Sequence, residues 1–290
     1  MYGFGIPQKL SAAAPQNLWF PWSLESVLDA KRTLLVDQRV SVRYYVNMRD
    51  RSFTNLSLAF FDVDGTLVRR DYSGNLSLKT RAFNFAAETV FGLKGFDYTK
   101  ILGRGIFGLT DRSIIKTTLS RLSISESEYY AREDELFLAI DDYFEKHVSH
   151  ENDAGYYQIP GVADFLKLLL SENIRVGLVT GNIKKHALWK LEICGFDNVF
   201  TTGGYGEDAE LRSHIMRAAL ERNSDIPLDR ICHFGDSPAD LIAAQECQVR
   251  AVAISSLGGG THDRAELAAT GYGLIIDSWL ESASIGSYLA

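Results

Sequence analysis

An apolar run that ends in paired carboxylates constrains this chain more than any other stretch. Leu56-Ser57-Leu58-Ala59-Phe60-Phe61 reads as a buried strand, and Asp62-Val63-Asp64-Gly65-Thr66-Leu67 follows at once. Asp-Gly is a common turn pair, so this stretch alone fits a plain turn as well as a site. Two acids at a strand tip also stand where open α/β sheets bind their ligands.

The rest of the chain decides between these readings. Further apolar runs follow at Ile174–Val179, Val199–Thr202, Ile231–Phe234, Val249–Ile254 and Gly273–Ile276. Near-continuous apolar runs of this length suit strands covered on both faces. Helical stripes lie between them: Val162, Phe165, Leu166 and Leu169; Ala187, Leu188, Leu191 and Cys194; Leu211, Ile215, Ala218 and Ala219; Ala239, Ile242 and Ala243. The alternation predicts an α/β fold, a doubly wound, mostly parallel, Rossmann-like sheet.

One interval breaks the alternation. Between the first and second strands the pattern is helical, with stripes at Phe83, Ala86, Ala87 and Val90, at Ile114, Ile115, Leu119 and Leu122, and at Leu136, Phe137, Ile140, Tyr143 and Phe144. Ser125 and Glu128 have the spacing of a capping box. A βα connection this long must carry structure of its own. The chain therefore divides into an extension at residues 1–54, an α/β core at 55–71 plus 156–290, and an inserted helical cap at 72–155.

Bulk properties narrow the function. The chain has 290 residues, 46 % of them apolar, with a net charge of −7. A pI near 5.4 argues against a nucleic-acid partner and against an anionic membrane surface. No apolar run reaches the roughly 18 residues of a membrane-crossing helix. Cys194, Cys232 and Cys247 show neither metal spacing nor a disulfide pattern, which suits reduced thiols in the cytoplasm. Residues 1–24 carry Lys9 as their single charge, together with Phe4, Trp19, Phe20 and Trp22. They lack the basic start and continuous apolar centre of a secretory signal; a loose extension, an organelle address and an aromatic docking arm all fit.

Several strand ends now carry reactive groups: Asp62 and Asp64 after the first, Thr180, Gly181 and Asn182 after the second, Asp236 after the fourth, with Asp240 four residues on. Arg212 opens a helix between the last two. In a parallel sheet these groups meet at one edge. Three carboxylates, a hydroxyl, loop N–H groups and a cation make a poor core and a good phosphate-plus-Mg²⁺ site. Magnesium takes hard oxygen ligands and needs one or two carboxylates beside water and phosphate, which Asp62 and Asp236 can supply, with the Asp64 carbonyl as a further oxygen. Ionised Asp62 can attack phosphorus. Asp64 can protonate the leaving oxygen and later deprotonate water. Thr180 and the N–H groups of Gly181 and Asn182 can hold the transferring oxygens while Arg212 balances their charge. Asp240 fits either a favoured carboxylate in a first helical turn or a member of the metal shell.

These residues resemble the motifs of the haloacid dehalogenase-like (HAD) superfamily. Asp62-Val63-Asp64-Gly65-Thr66 is similar to motif I, Val176–Asn182 to motif II, and Gly235-Asp236-Ser237-Pro238-Ala239-Asp240 to motif IV. The resemblance spans residues 55 to 280, with a C1-type cap at the insertion, and leans to the phosphoglycolate phosphatase-like branch. It implies an Asp62 nucleophile, Asp64 as acid/base, a Thr180 clamp, and Mg²⁺ at Asp62, Asp64 and Asp236. Motif III is usually a lysine; here Arg212 stands in its place, with Arg217 as the alternative. In C1-capped relatives the stretch matching Leu102–Arg112 selects the substrate, so Arg104 or Arg112 would meet a carboxylate or second phosphate. The expected activity is a Mg²⁺-dependent phosphatase of a small phosphorylated metabolite, with no nucleic-acid or membrane partner. The rivals are a phosphomutase or phosphonate hydrolase on the same scaffold, or a binding module without turnover.

Overall fold

The computed structural model describes residues 53–71, 76–106, 108–148 and 155–290. The extension expected at 1–54 lies, but for Phe53 and Thr54, outside the described residues. Among the described residues six parallel strands form one sheet: β1 (Leu58–Phe61), β4 (Arg175–Val179), β5 (Thr202–Gly204), β6 (Ile231–Gly235), β7 (Arg250–Ile254) and β8 (Leu274–Ile276), in the order β5-β4-β1-β6-β7-β8. After β1 the chain builds one half of the sheet through β4 and β5, then crosses to β6 on the other side of β1. That reversal puts a crevice at the tip of β1.

Side chains alternate across the sheet with the period of two that strands impose. Ala59, Phe61, Val176, Leu178, Cys232 and Phe234 face one side. There they meet α6 (Val162–Ser171), α7 (Lys184–Ile193) and α11 (Ser282–Leu289). Leu58, Phe60, Val179, Ile231, Ala251 and Ala253 face the other. They meet α8 (Arg212–Glu221), α9 (Pro238–Glu246) and α10 (Arg264–Ala268). On the first side the rings of Phe61 and Phe234 stack 4.7 Å apart, and Phe165 closes edge-on over both.

The inserted cap consists of α1 (Leu78–Phe91), α2 (Tyr98–Leu102), α3 (Asp111–Arg121), α4 (Glu126–Ala131) and α5 (Glu133–His147). Its apolar centre includes Phe83, Ala87, Ile115, Leu119, Leu136 and Ile140, so it has a core of its own. One half of the expected capping box is formed: the Ser125 hydroxyl accepts from the Glu128 N–H at 3.3 Å. Glu133, Asp134 and Glu135 open α5, and Lys146 and His147 close it, as the helix dipole favours.

Two strands absent from the sequence reading flank the cap. β2 (Val68–Arg70) pairs antiparallel with β3 (Tyr156–Gln158), Val68 opposite Gln158 and Arg70 opposite Tyr156. Three-residue strands carry too few side chains to show a period. The expected third strand is displaced, from 199–202 to Thr202–Gly204. Two helical faces are also turned. On α7 Leu188 is exposed and Lys190 buried, and on α9 Ile242 is exposed while Asp240 and Leu241 face inward. In both helices a charged residue is turned inward, Lys190 toward the cleft and Asp240 toward Arg212, His233 and Ser237.

The Phe165 ring packs against Phe53, Phe61, Phe234 and Trp279 in the apolar core, so its removal reports on packing. Phe165→Ala is expected to lower stability by about 3–5 kcal/mol, read as a shift of the urea midpoint with unchanged slope.

Candidate active site

Strand register fixes the centre of the site. Phe61 lies opposite Leu178 on one neighbour and Phe234 on the other, so Asp62 emerges beside the ends of both strands. Its N–H donates to the Phe234 carbonyl at 2.9 Å. The chain then turns on Gly65, whose φ of +81° suits glycine. A Cβ there would stand 2.1 Å from Asp236 Oδ2, so the turn also needs the missing side chain. Asp62, Asp64, Lys79, Lys190, Arg212 and Asp236 are among the residues lining the resulting cleft between sheet and cap.

Of the two motif III candidates, Arg212 is the one that reaches the carboxylates. It is buried at the start of α8, with Nη1 3.1 Å from Asp62 Oδ1 and 2.9 Å from Asp240 Oδ1, whereas Arg217 is exposed one and a half turns on. Asp240 is more occupied than the sequence suggests. Its Oδ1 faces Arg212 and, at 3.1 Å, His233 Nε2; its Oδ2 accepts from the Ser237 hydroxyl at 2.6 Å and from the N–H groups of Ser237 and Asp236. Ser237 and Asp240 thereby form a reciprocal capping box, with Pro238 in the first turn.

Asp62, Asp236 and Asp240 each bring a carboxylate oxygen within 4.8 Å of the others. They differ in what remains free. Asp62 Oδ1 is buried and receives no hydrogen bond among the described residues. Asp236 Oδ2 accepts from the N–H and hydroxyl of Thr261, while its Oδ1 has only Thr66 Oγ1 at 3.5 Å. Burial raises the pKa of Asp62, opposed by Arg212 and the Thr180 hydroxyl and reinforced by Asp240 and Asp64. Burial, with Asp240 and Asp62 alongside, pushes Asp236 well above the ordinary carboxylate range. Arg212, with His233 and Ser237, holds Asp240 well below that range against its own burial. Crowded carboxylates with unsatisfied oxygens fit a cation, and a hard-oxygen donor set fits a divalent one. Asp62 and Asp236 are the residues with an oxygen to give it.

Asp64 sits apart from this cluster. Lys190 Nζ lies 2.6 Å from its Oδ2, and Asn182 Nδ2 donates to the same oxygen at 2.9 Å. Burial in the cleft works to raise its pKa, but Lys190 and Lys79 outweigh it and lower it. Sequence reasoning missed Lys190. The available signal was its phase: it falls three residues after Ala187 and one before Leu191, on the buried face of α7. Thr261 and His233 were likewise unforeseen as supports of the carboxylates.

The motif II loop is held from the cap side. Thr180 Oγ1 accepts from the Asn182 N–H at 3.2 Å and its Nδ2 at 2.9 Å. A Cβ on Gly181 would stand 2.7 Å from Thr110 Cα, so the cap rests against bare backbone there. The Asp111 N–H donates to the Gly181 carbonyl at 2.7 Å. The Asp111 carboxylate accepts from the Ile183 N–H at 3.0 Å and from Lys79 Nζ at 2.9 Å. Of the two arginines expected to meet substrate, Arg112 points elsewhere: its Nε faces Glu133 Oε1 at 3.1 Å and its guanidinium lies over Phe137, inside the cap. Adjacent residues at a helix start diverge by about 100°, and Asp111 takes the inward direction. The Arg104 side chain lies outside the described residues.

The comparison with known proteins follows from this arrangement. The family model for haloacid dehalogenase-like hydrolases matches residues 56–248. The chain belongs to that family. As a haloacid dehalogenase-like hydrolase it is an enzyme, and its six-stranded parallel sheet flanked by helices is the fold of that family. It is similar to a phosphorylated carbohydrates phosphatase of Thermotoga maritima, 23 % identical over 71 % of this chain and 88 % of that one. Among solved structures it resembles a predicted phosphoglycolate phosphatase from Haemophilus somnus, with a TM-score of 0.56 and 19 % identity over 81 % of this chain and 99 % of the other. A haloacid dehalogenase-like family protein from Streptococcus pneumoniae superposes with a TM-score of 0.54 and 21 % identity, over 80 % and 99 % of the two chains. These two show a shared fold. No helix among the described residues of this hydrolase is long and apolar enough to cross a membrane.

The buried Lys79–Asp111 pair gives a test of the fastening between cap and motif II loop. Asp111 is held well below the carboxylate range: Lys79 and His186 outweigh the upward effect of burial. Asp111→Asn is expected to cost about 3–5 kcal/mol, because Lys79 loses its partner. A depressed native pKa stabilises fully above the unfolded value of about 3.9; the contribution declines progressively below that value and is lost only as the pH falls through the native one. The stability gap between wild type and variant should therefore be constant near neutrality and narrow progressively as the pH falls below about 4.

Proposed function

We propose that this hydrolase is a Mg²⁺-dependent phosphatase of small phosphorylated metabolites that works through an aspartyl-phosphate on Asp62. The observation that carries the reading is Asp62 Oδ1, a buried carboxylate oxygen at the sheet edge with no aligned hydrogen bond among the described residues, held by the ion pair to Arg212 Nη1 at 3.1 Å. A nucleophile needs one uncommitted oxygen and a neighbour that holds it in place. Asp62 Oδ1 forms the bond to phosphorus as the bond to the leaving oxygen breaks. Asp64 passes its proton to that oxygen, then takes one from the water that cleaves the aspartyl-phosphate. The negative charge of a bound phosphate favours the protonated form that the first step requires. Thr180 and the N–H groups of Gly181 and Asn182 receive the transferring oxygens, and Arg212 keeps Asp62 aimed. Mg²⁺ held by Asp62, Asp236 and the Asp64 carbonyl would neutralise the phosphoryl charge.

The leaving group would occupy the cleft under the cap, where Lys79, Tyr98 and Tyr156 stand. That wall suits a compact polar leaving group such as glycolate or a sugar. Phosphatase names among the relatives support the reaction type.

A panel of phosphoglycolate, sugar phosphates and a chromogenic ester, run with Mg²⁺ and with chelator, tests the proposal. Asp62→Asn is expected to lose roughly 10⁴-fold or more in kcat, and chelation should abolish turnover. Turnover that survives Asp62→Asn would remove the nucleophile. In parallel, Mg²⁺ at one hundred times its Kd should stabilise wild type by about 2.7 kcal/mol, and Asp236→Asn should erase that gain in a melting experiment.

A further inference from the structure

Lys190 is 1 % exposed, in the middle of a helix that packs against the sheet. An ammonium in such a place is costly unless fully paired. Its partners are Asp64 Oδ2 at 2.6 Å and Asn182 Oδ1 at 2.7 Å, and it lies over the Tyr156 ring at 5.4 Å. Both hydrogen-bonding partners are cleft residues, one from the β1 tip and one from the β4 tip. A lysine kept only to support packing would be replaced by an apolar side chain at no loss. Nothing in the described core requires a charge at this point.

We propose that Lys190 is a positioning residue for Asp64. It pins Oδ2 and locks the carboxylate to Asn182, which leaves Oδ1 for the leaving oxygen and then for water. The assignment rests on the phosphatase reading above. In the first step the proton on Asp64 Oδ1 moves to the leaving oxygen while the P–O bond breaks. Lys190 acts only through the carboxylate it holds. A misplaced general acid matters in proportion to how much the leaving group needs a proton. An alkoxide needs one; a nitrophenolate leaves without it.

The test uses the full chain with saturating Mg²⁺ and compares kcat/KM on a sugar phosphate and on 4-nitrophenyl phosphate. Lys190→Met is expected to lose roughly 10²-fold on the sugar phosphate, the size of a general-acid contribution, and less than about tenfold on the nitrophenyl ester. In an Asp64→Asn background the same substitution should cost under about threefold on either ester, since residues acting as a unit are not additive. Should Lys190→Met fail to fold, Lys190→Gln, which keeps a neutral donor, is read the same way. Equal losses on the two esters, or full additivity with Asp64→Asn, would overturn the assignment while leaving the phosphatase standing. A wild type that turns over neither ester would overturn both.

Discussion

Three carboxylates buried around one guanidinium are the constraint on which this structure turns. Asp62, Asp236 and Asp240 come together because β1 and β6 are neighbours in register. Asp240 uses every oxygen lone pair the loop can reach and so anchors Arg212. Arg212 in turn is shared with Asp62 and leaves the second acidic tip, Asp236, uncompensated. The cluster thus holds more carboxylates than its one guanidinium can pair, and burial raises the pKa of Asp62 and Asp236 accordingly. A domain built only for packing would shed such a cluster, because an unpaired buried carboxylate is among the most expensive groups a fold can hold.

A second network, built on lysines, complements the first. Lys190 and Lys79 stand on the other side of Asp64, each paired with a carboxylate, and Asp111 links Lys79 to the backbone of the motif II loop. The two networks divide the cleft. Around Asp62 the crowded carboxylates suit a cation; around Asp64 the charges balance and hold its carboxylate in place. The cap therefore contributes to the groups that border the chemistry as well as covering them, since Asp111 belongs to its third helix and Lys79 to its first.

How much was legible in the sequence follows from the range over which each signal acts. The alternation of strands and helices is local, and the sheet and inserted cap follow from it. Asp62, Asp64 and Asp236 stand directly behind apolar runs, so their meeting at one edge needed only the parallel order of those runs. Lys190 was illegible because a lysine in an amphipathic helix normally marks the solvent face, and Leu188 looked the better core residue. Asp111 and Arg112 are adjacent, and only the angular position of α3 against the motif II loop decides which one turns inward. Arg212 and Arg217 posed the same problem on α8, where contact with Asp62 separates them. β2 and β3 gain meaning only from each other, across a distance no local pattern spans.

That short ribbon has a consequence for how such a chain tolerates change. The whole helical block hangs from two adjacent strands that rise and descend side by side, Arg70 opposite Tyr156. Extra residues in a loop between the helices would leave this stem untouched. One residue inserted within either strand would turn its side chains over, swinging Arg70 or Tyr156 out of the cleft. Lengthening is therefore cheap at the far end of the block and ruinous at its root, so variation in substrate preference has its freedom in the distal loops while the stem stays short.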